Sequence, residues 1–180
     1  MAKINGVEMK AIKTYTDHEG CGCSYASIYI DGKRVGKWSQ DSWGGPDNYD
    51  GFEDVIISRA KRFKEGCNKD SKYYDFLDNP DIFMSNLLEL SEDEKKYKKY
   101  MKDGFITVFI ISDGYHCSMV AFRKELTLNE IESKFSDTIK KMRDSMFKNV
   151  KPKERVYTSL NDFSVVVDKN HLVPSYISID

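Results

Sequence analysis

The stretch Ser24-Tyr25-Ala26-Ser27-Ile28-Tyr29-Ile30-Asp31-Gly32-Lys33-Arg34-Val35-Gly36-Lys37-Trp38-Ser39 decides the fold. Tyr25, Ser27 and Tyr29 alternate with Ala26, Ile28 and Ile30, the period of two expected of a half-buried strand. Asp31-Gly32 follows at once, and both residue types tolerate the left-handed backbone of a tight hairpin turn. The chain then returns as a strand through Val35 to Ser39. Upstream, Val7 to Tyr15 alternates Val7, Met9 and Ala11 against Glu8 and Lys10. The first forty residues therefore read as a three-stranded antiparallel meander.

Beyond the meander the spacing changes. Phe52, Ile56, Ala60 and Phe63 recur at helical intervals, and Gly66 ends that run. Residues 67–104 read as a helical insert. A short apolar helix follows Pro80 through Ile82, Phe83, Leu87 and Leu88. A capping box, Ser91-Glu92-Asp93-Glu94, opens a second helix that stops at Gly104. Phe105 to Ile111 is an apolar strand, paired through Asp113-Gly114 with His116 to Arg123. A further capping box, Thr127-Leu128-Asn129-Glu130, opens one long helix striped by Leu128, Ile131, Phe135, Ile139, Met142 and Met146. Strands are expected at Val156 to Ser159, Phe163 to Val167 and Ile177 to Ile179. The expectation is an α+β protein: antiparallel sheets from two hairpin-plus-helix lobes, 1–66 and 105–180, with the helical insert 67–104 between them, all in one compact unit.

Hydrophobic residues make up 40% of the 180 and charged residues 32%, with 4 prolines, which excludes collagen-like and broadly disordered chains. The 28 basic and 29 acidic residues sum to -1, so neither a uniform basic coat for nucleic acid nor a uniformly acidic DNA mimic describes the whole molecule. No run approaches the roughly 18 apolar residues of a membrane span, and Met1 to Lys13 lacks an export signal's apolar region. A cytoplasmic protein of a bacterial host cell, with reduced cysteines and no membrane association, is expected.

Four constellations bear on chemistry. His18, Cys21, Cys23, Cys67, His116 and Cys117 are zinc-type ligands, but Cys21-Gly22-Cys23 is spaced too closely for a zinc knuckle. Cys23, Cys67 and Cys117 therefore read as small buried hydrophobes, with no metal and no cofactor expected. A cysteine nucleophile is conceivable at Cys21 with His18 or Cys117 with His116, but adjacent strand residues such as His116 and Cys117 point to opposite faces, and chance proximity in turn and strand is the plainer reading. No catalytic residue is assigned. Residues 134–155 carry eight cations against three carboxylates, so Lys140, Lys141, Arg143 and Lys148 are candidate nucleic-acid contacts, or else a solvated helix face. Asp70 to Glu94 holds eight carboxylates against Lys72 alone, an acidic segment that includes Glu92, Asp93 and Glu94. Finally, the loop from Trp38 to Asp50 combines Asp41, Trp43, Asp47, Tyr49 and Asp50, the ingredients of a binding hot spot. Trp38 reads equally well as a core residue.

Gly20 to Asp50, above all Asp31-Gly32-Lys33-Arg34-Val35-Gly36 followed by Asp41-Ser42-Trp43-Gly44-Gly45, resembles small accessory proteins of bacteriophages and mobile elements. Among these the chain looks most like anti-CRISPR inhibitors of type II RNA-guided nucleases. The resemblance implies a non-enzymatic protein that binds and blocks a host CRISPR effector, with or without its guide RNA. Asp41, Trp43, Asp47, Tyr49, Asp50, Glu92, Asp93 and Glu94 are the expected partner contacts, on acidic surfaces that fit the effector's basic channel. A small Cys/His metalloprotein or enzyme, and a phage regulatory or structural binding protein, remain as alternatives.

Overall fold

The computed structural model describes residues 1–16, 18–19, 22–40, 45–70, 74–113, 116–146 and 151–174. Its elements run β1 (Lys3–Ile4), β2 (Val7–Thr16), β3 (Gly22–Ile30), β4 (Lys33–Gln40), β5 (Asn48–Tyr49), α1 (Glu53–Glu65), α2 (Pro80–Lys102), β6 (Thr107–Ser112), β7 (Cys117–Phe122), α3 (Leu128–Lys134), α4 (Ser136–Asp144), β8 (Lys153–Tyr157) and β9 (Ser164–Val165). The class is α+β, as expected. The chain divides into two compact units. The first comprises Met1–Glu92 with Phe163–Val173, and the second is built on Asp93–Asp162. The division between them falls inside α2, and the C-terminal segment returns to the N-terminal sheet.

The first unit holds a six-stranded sheet in the order β5-β4-β3-β2-β1-β9. The expected meander forms its middle, with Val7 opposite Ile30, and Ala26 opposite Trp38. Asp31 and Gly32 adopt φ of 49° and 83°, the left-handed pair of a two-residue hairpin. Asn5 and Gly6, at 48° and 80°, make a second such turn that adds β1. The two turns touch: Asp31 N–H donates to the Gly6 carbonyl at 2.9 Å, and Arg59 reaches the Asp31 carboxylate at 2.6 Å. β9 lies parallel to β1, where Asn5 N–H donates to the Val165 carbonyl at 2.9 Å and Val167 N–H to Asn5 Oδ1 at 2.7 Å.

The helical expectation for α1 holds, with Ile56, Ala60 and Phe63 buried and Glu53, Asp54 and Arg62, Lys64 matching the macrodipole at its two ends. Met9, Ala26, Ile28 and Trp38 of the sheet are buried as well. Gly36 has no side chain because a Cβ there would lie 2.9 Å from the Phe52 ring.

α2 corrects the two-helix reading of the insert. It is one helix, started by Asn79, whose Oδ1 accepts from Asp81 N–H at 2.8 Å, with Pro80 in the first turn where no N–H is needed. Ser91 does not cap. Its Oγ donates back to the Leu87 carbonyl at 2.7 Å, and the buried stripe of Phe83, Leu87, Leu90, Glu94 and Tyr97 passes straight through it.

The second unit has a three-stranded antiparallel sheet, β7-β6-β8, with Val108 to Ile111 of the central strand fully buried. The capping box at Thr127 forms: Glu130 N–H donates to Thr127 Oγ1 at 3.3 Å, and Thr127 N–H to Glu130 Oε2 at 2.9 Å. The single long helix expected after it is two helices. Phe135 leaves helical geometry at φ -131°, ψ 31°, and its ring packs on Phe122 at 4.6 Å between centroids. The stripe survives the break. Ile131, Ile139 and Met146 are buried with Phe109, Ile111, Phe122 and Leu126, while Leu128, Phe135 and Met142 pack at the margin. Val156 to Ser159 shifts to β8, and Phe163 to Val167 shrinks to β9 because Leu160–Phe163 forms a 3₁₀ turn. Asp162 Oδ2 fixes that turn by accepting from Thr158 and Ser159 N–H at 2.7 and 2.9 Å. The strand expected at 177–179 lies outside the described residues.

Candidate functional site

In the first unit Trp38, Asp47 and Tyr49 of the expected hot spot turn inward. Trp38 is fully buried on β4, and its indole N–H donates to Asp47 Oδ2 at 2.7 Å. Asp47 is only 8% exposed, so the exposure expected of it is not there. Tyr49 Oη donates to Asp81 Oδ1 at 2.7 Å, and Asp81 Oδ2 accepts from Asp47 N–H at 3.3 Å. Burial, and then the bond to Asp81, push the Tyr49 phenol well above its ordinary range, so it stays a neutral donor. Of the two readings for Trp38, the core reading is correct. Asp50 is exposed, and Asp41 and Trp43 lie outside the described residues. Asp81, absent from the residues the sequence nominates, ties Tyr49 to the Asp47 backbone. Its signal was the Asn79-Pro80-Asp81 helix start.

In the second unit Asp93 has no exposed surface. Its Oδ2 forms an ion pair with Arg155 Nε at 2.8 Å and accepts from Tyr157 Oη at 3.0 Å, and its Oδ1 faces Lys96 Nζ at 3.2 Å. Glu94 is 5% exposed and pairs with Lys98 at 2.7 Å. Glu92 is half-buried. Three consecutive helical residues point about 100° apart, so they cannot share one acidic face. The exposed acidic patch expected at Glu92, Asp93 and Glu94 is thereby corrected. Farther up the acidic segment, Asp78 meets Lys64 at 3.1 Å, and that hydrogen bond lowers its pKa.

The basic stretch is likewise internally paired. Lys134 meets Glu130 at 3.0 Å. Arg143 sits between Glu154 and Glu132, each at 2.6 Å, which raises its pKa and holds it charged. Arg155 is buried against Asp93. Lys140 and Lys141 are exposed on α4, and Lys148 lies outside the described residues.

The Cys/His set does not converge. Among the described residues, no three His, Cys, Asp or Glu side chains are grouped to hold a metal ion. Cys23 is buried, as expected, but Cys67 is half-buried and Cys117 exposed. His116 Nδ1 lies 3.4 Å from Asp113 Oδ2, whereas Cys117 Sγ lies 3.6 Å from Lys96 Nζ. The adjacent imidazole and thiol thus turn to different partners. Cys21 lies outside the described residues. No helix among the described residues is long and apolar enough to cross a membrane. Comparison with protein-family models, with curated proteins and with solved structures gives no match.

Proposed function

We propose that this chain is a non-enzymatic binding protein of the phage accessory type, acting on a host CRISPR effector nuclease. The observation that supports it is how the buried polar groups are spent. Asp93 is committed to Arg155 and Tyr157, Asp47 to Trp38, and Asp81 to Tyr49. Such pairs specify a fold, and they tie up these three carboxylates in structural contacts. The exposed charges, Asp50 on one unit and Lys140 and Lys141 on the other, are then available for surface recognition. The resemblance of 20–50 to phage accessory proteins nominates the type II effector as partner, with its guide RNA as a further contact.

The test mixes the protein with a purified type II effector, with and without guide RNA, and follows comigration and DNA cleavage. A comigrating complex and lost cleavage are expected. Asp50→Lys should weaken an acidic contact, and Lys140→Glu with Lys141→Glu a contact to RNA, each without lowering the melting temperature. Unchanged cleavage and no complex with several effectors would remove the inhibitor reading.

A further inference from the structure

The outer face of the N-terminal sheet carries a row of aromatic rings flanked on both sides by cations, and we propose that it binds single-stranded nucleic acid. This goes beyond the inhibitor reading and does not depend on it.

The register builds the row. On the central strand β3, Ala26 and Ile28 face the core, so Tyr25, Ser27 and Tyr29 face outward. On one side Lys13 stands opposite Tyr25, and Lys10 opposite Ser27. On the other side Lys37 stands opposite Ser27, and Arg34 opposite Tyr29. Two irregularities bring these cations onto that face. The pairing of β2 with β3 shifts between Lys10 and Lys13, where Ala11 takes φ 52°, and the pairing of β3 with β4 shifts beside Val35. Without the first shift, Lys10 and Lys13 would have opposite parity and point to opposite faces.

The rings and cations already interact. Lys10 Nζ lies 3.9 Å from the Tyr29 centroid, and Lys13 Nζ 5.7 Å from that of Tyr25. Tyr15, diagonal to Tyr25, meets it edge-on at 6.3 Å and extends the row toward the end of the hairpin. Tyr15 is 56% exposed and Tyr25 40%, unusual for large rings on a sheet face. Among the described residues, Lys3, Lys10, Lys13, Arg34 and Lys37 oppose one carboxylate on this face, Glu8, which stands opposite Tyr29 and meets Lys10 at 3.3 Å. The chain as a whole is near neutral, so this local excess is not a by-product of composition.

The chemistry selects the ligand. Exposed rings on a sheet offer stacking platforms, and every base has a face to stack, but a duplex has its base faces already covered. Flanking cations track the phosphates. A lipid surface would call for apolar side chains to insert, whereas this row is made of tyrosines, lysines, an arginine and serines.

The experiment uses the full chain and a fluorescein-labelled 20-nucleotide oligothymidylate, read by anisotropy. The same label on a duplex, anionic phosphatidylserine vesicles and polyglutamate are parallel arms. Binding to the single strand is expected, weaker on the duplex, with log K falling against log salt at a slope of about -3 for four phosphate contacts. Tyr25→Ala should weaken binding by about 5- to 100-fold, and Lys13→Gln with Lys37→Gln should flatten the salt slope. All three positions are exposed, and melting curves check that each variant folds. No binding at low salt, equal affinity for the duplex, preference for vesicles or polyglutamate, or an unchanged affinity of Tyr25→Ala would each overturn the proposal. Because no effector nuclease is present, the result is independent of the inhibition assay.

Discussion

Asp93 shows how far a charge can be from the surface its neighbours suggest. Its carboxylate is fully buried and meets Arg155 at 2.8 Å, and Arg155 is itself 2% exposed. Both ions have lost their hydration, and their mutual attraction, with the hydrogen bond from Tyr157 to Asp93, stands in for it. Removing one partner of such a pair strands the other, a loss of about 3–5 kcal/mol. Asp93→Ala should therefore shift the urea midpoint strongly, whereas Glu92→Ala, one residue earlier and half-buried, should stay within about 0.5 kcal/mol. Equal shifts would mean that Arg155 finds another partner or water. The same contrast warns against charge reversal as a mapping tool here: reversing Glu92, Asp93 and Glu94 together would unfold the second unit before it reported on any partner.

At the scale of elements, two similar capping signals had opposite fates. Thr127 caps α3, and its partner Glu130 has its pKa lowered from 4.5 to about 2, first by the Thr127 backbone N–H and then by Lys134. Thr127→Ala should cost about 1 kcal/mol. A depressed carboxylate pKa stabilises the fold above the unfolded value and loses that contribution as pH falls through the folded one. The melting-temperature gap between wild type and Glu130→Gln should thus be constant above pH 5 and close between pH 4.5 and 2. Ser91 carries the same sequence pattern inside α2, where its hydroxyl only back-bonds to Leu87. Ser91→Ala should change stability by less than about 0.5 kcal/mol, and a loss near that of Thr127→Ala would restore the cap reading. A cap and a helix interior differ only in whether the apolar stripe continues, and here Leu87, Leu90 and Tyr97 carry it through. The meander, α1 and the β6–β7 hairpin were legible because alternation and Gly turns are local. The Asn5-Gly6 turn carries the same kind of local signal. What local pattern could not give was pairing at a distance: Asp81 with Tyr49, Arg155 with Asp93, and β9 with β1. The burial of Asp93 escaped local pattern for the same reason, since its partners Arg155 and Tyr157 lie far away in sequence.

At the scale of the whole chain, the first unit is completed only by its return at Phe163–Val173. Asn5 receives Val167 N–H across 162 residues, and Val173 N–H reaches the Gly66 carbonyl at 2.9 Å. Gly66 is pressed so closely that a Cβ would lie 2.5 Å from Val167 and 2.6 Å from the His171 carbonyl. Phe163, Val165 and Val167 are each at most 5% exposed. Burying side chains of this size is worth about 1.5–3 kcal/mol apiece, so together they rival the about 5–15 kcal/mol that holds a typical domain folded. Truncation after Asp162 should therefore unfold the first unit. Both tryptophans, Trp38 and Trp43, lie in that part of the sequence, so their fluorescence reports it. A red shift toward solvent-exposed emission is expected in the truncated protein. Gly66→Ala in the full chain should lower the tryptophan-detected melt by overpacking, at a cost of about 1–3 kcal/mol. Emission and melting unchanged by truncation would show that the meander and α1 close their core without the returning segment. Long-range closure also slows folding, because the entropy of joining the ends is lost before their contacts form. A tryptophan-detected refolding phase slower in the full chain than the folding of the Thr107–Phe122 hairpin's own sheet would follow from that order of events.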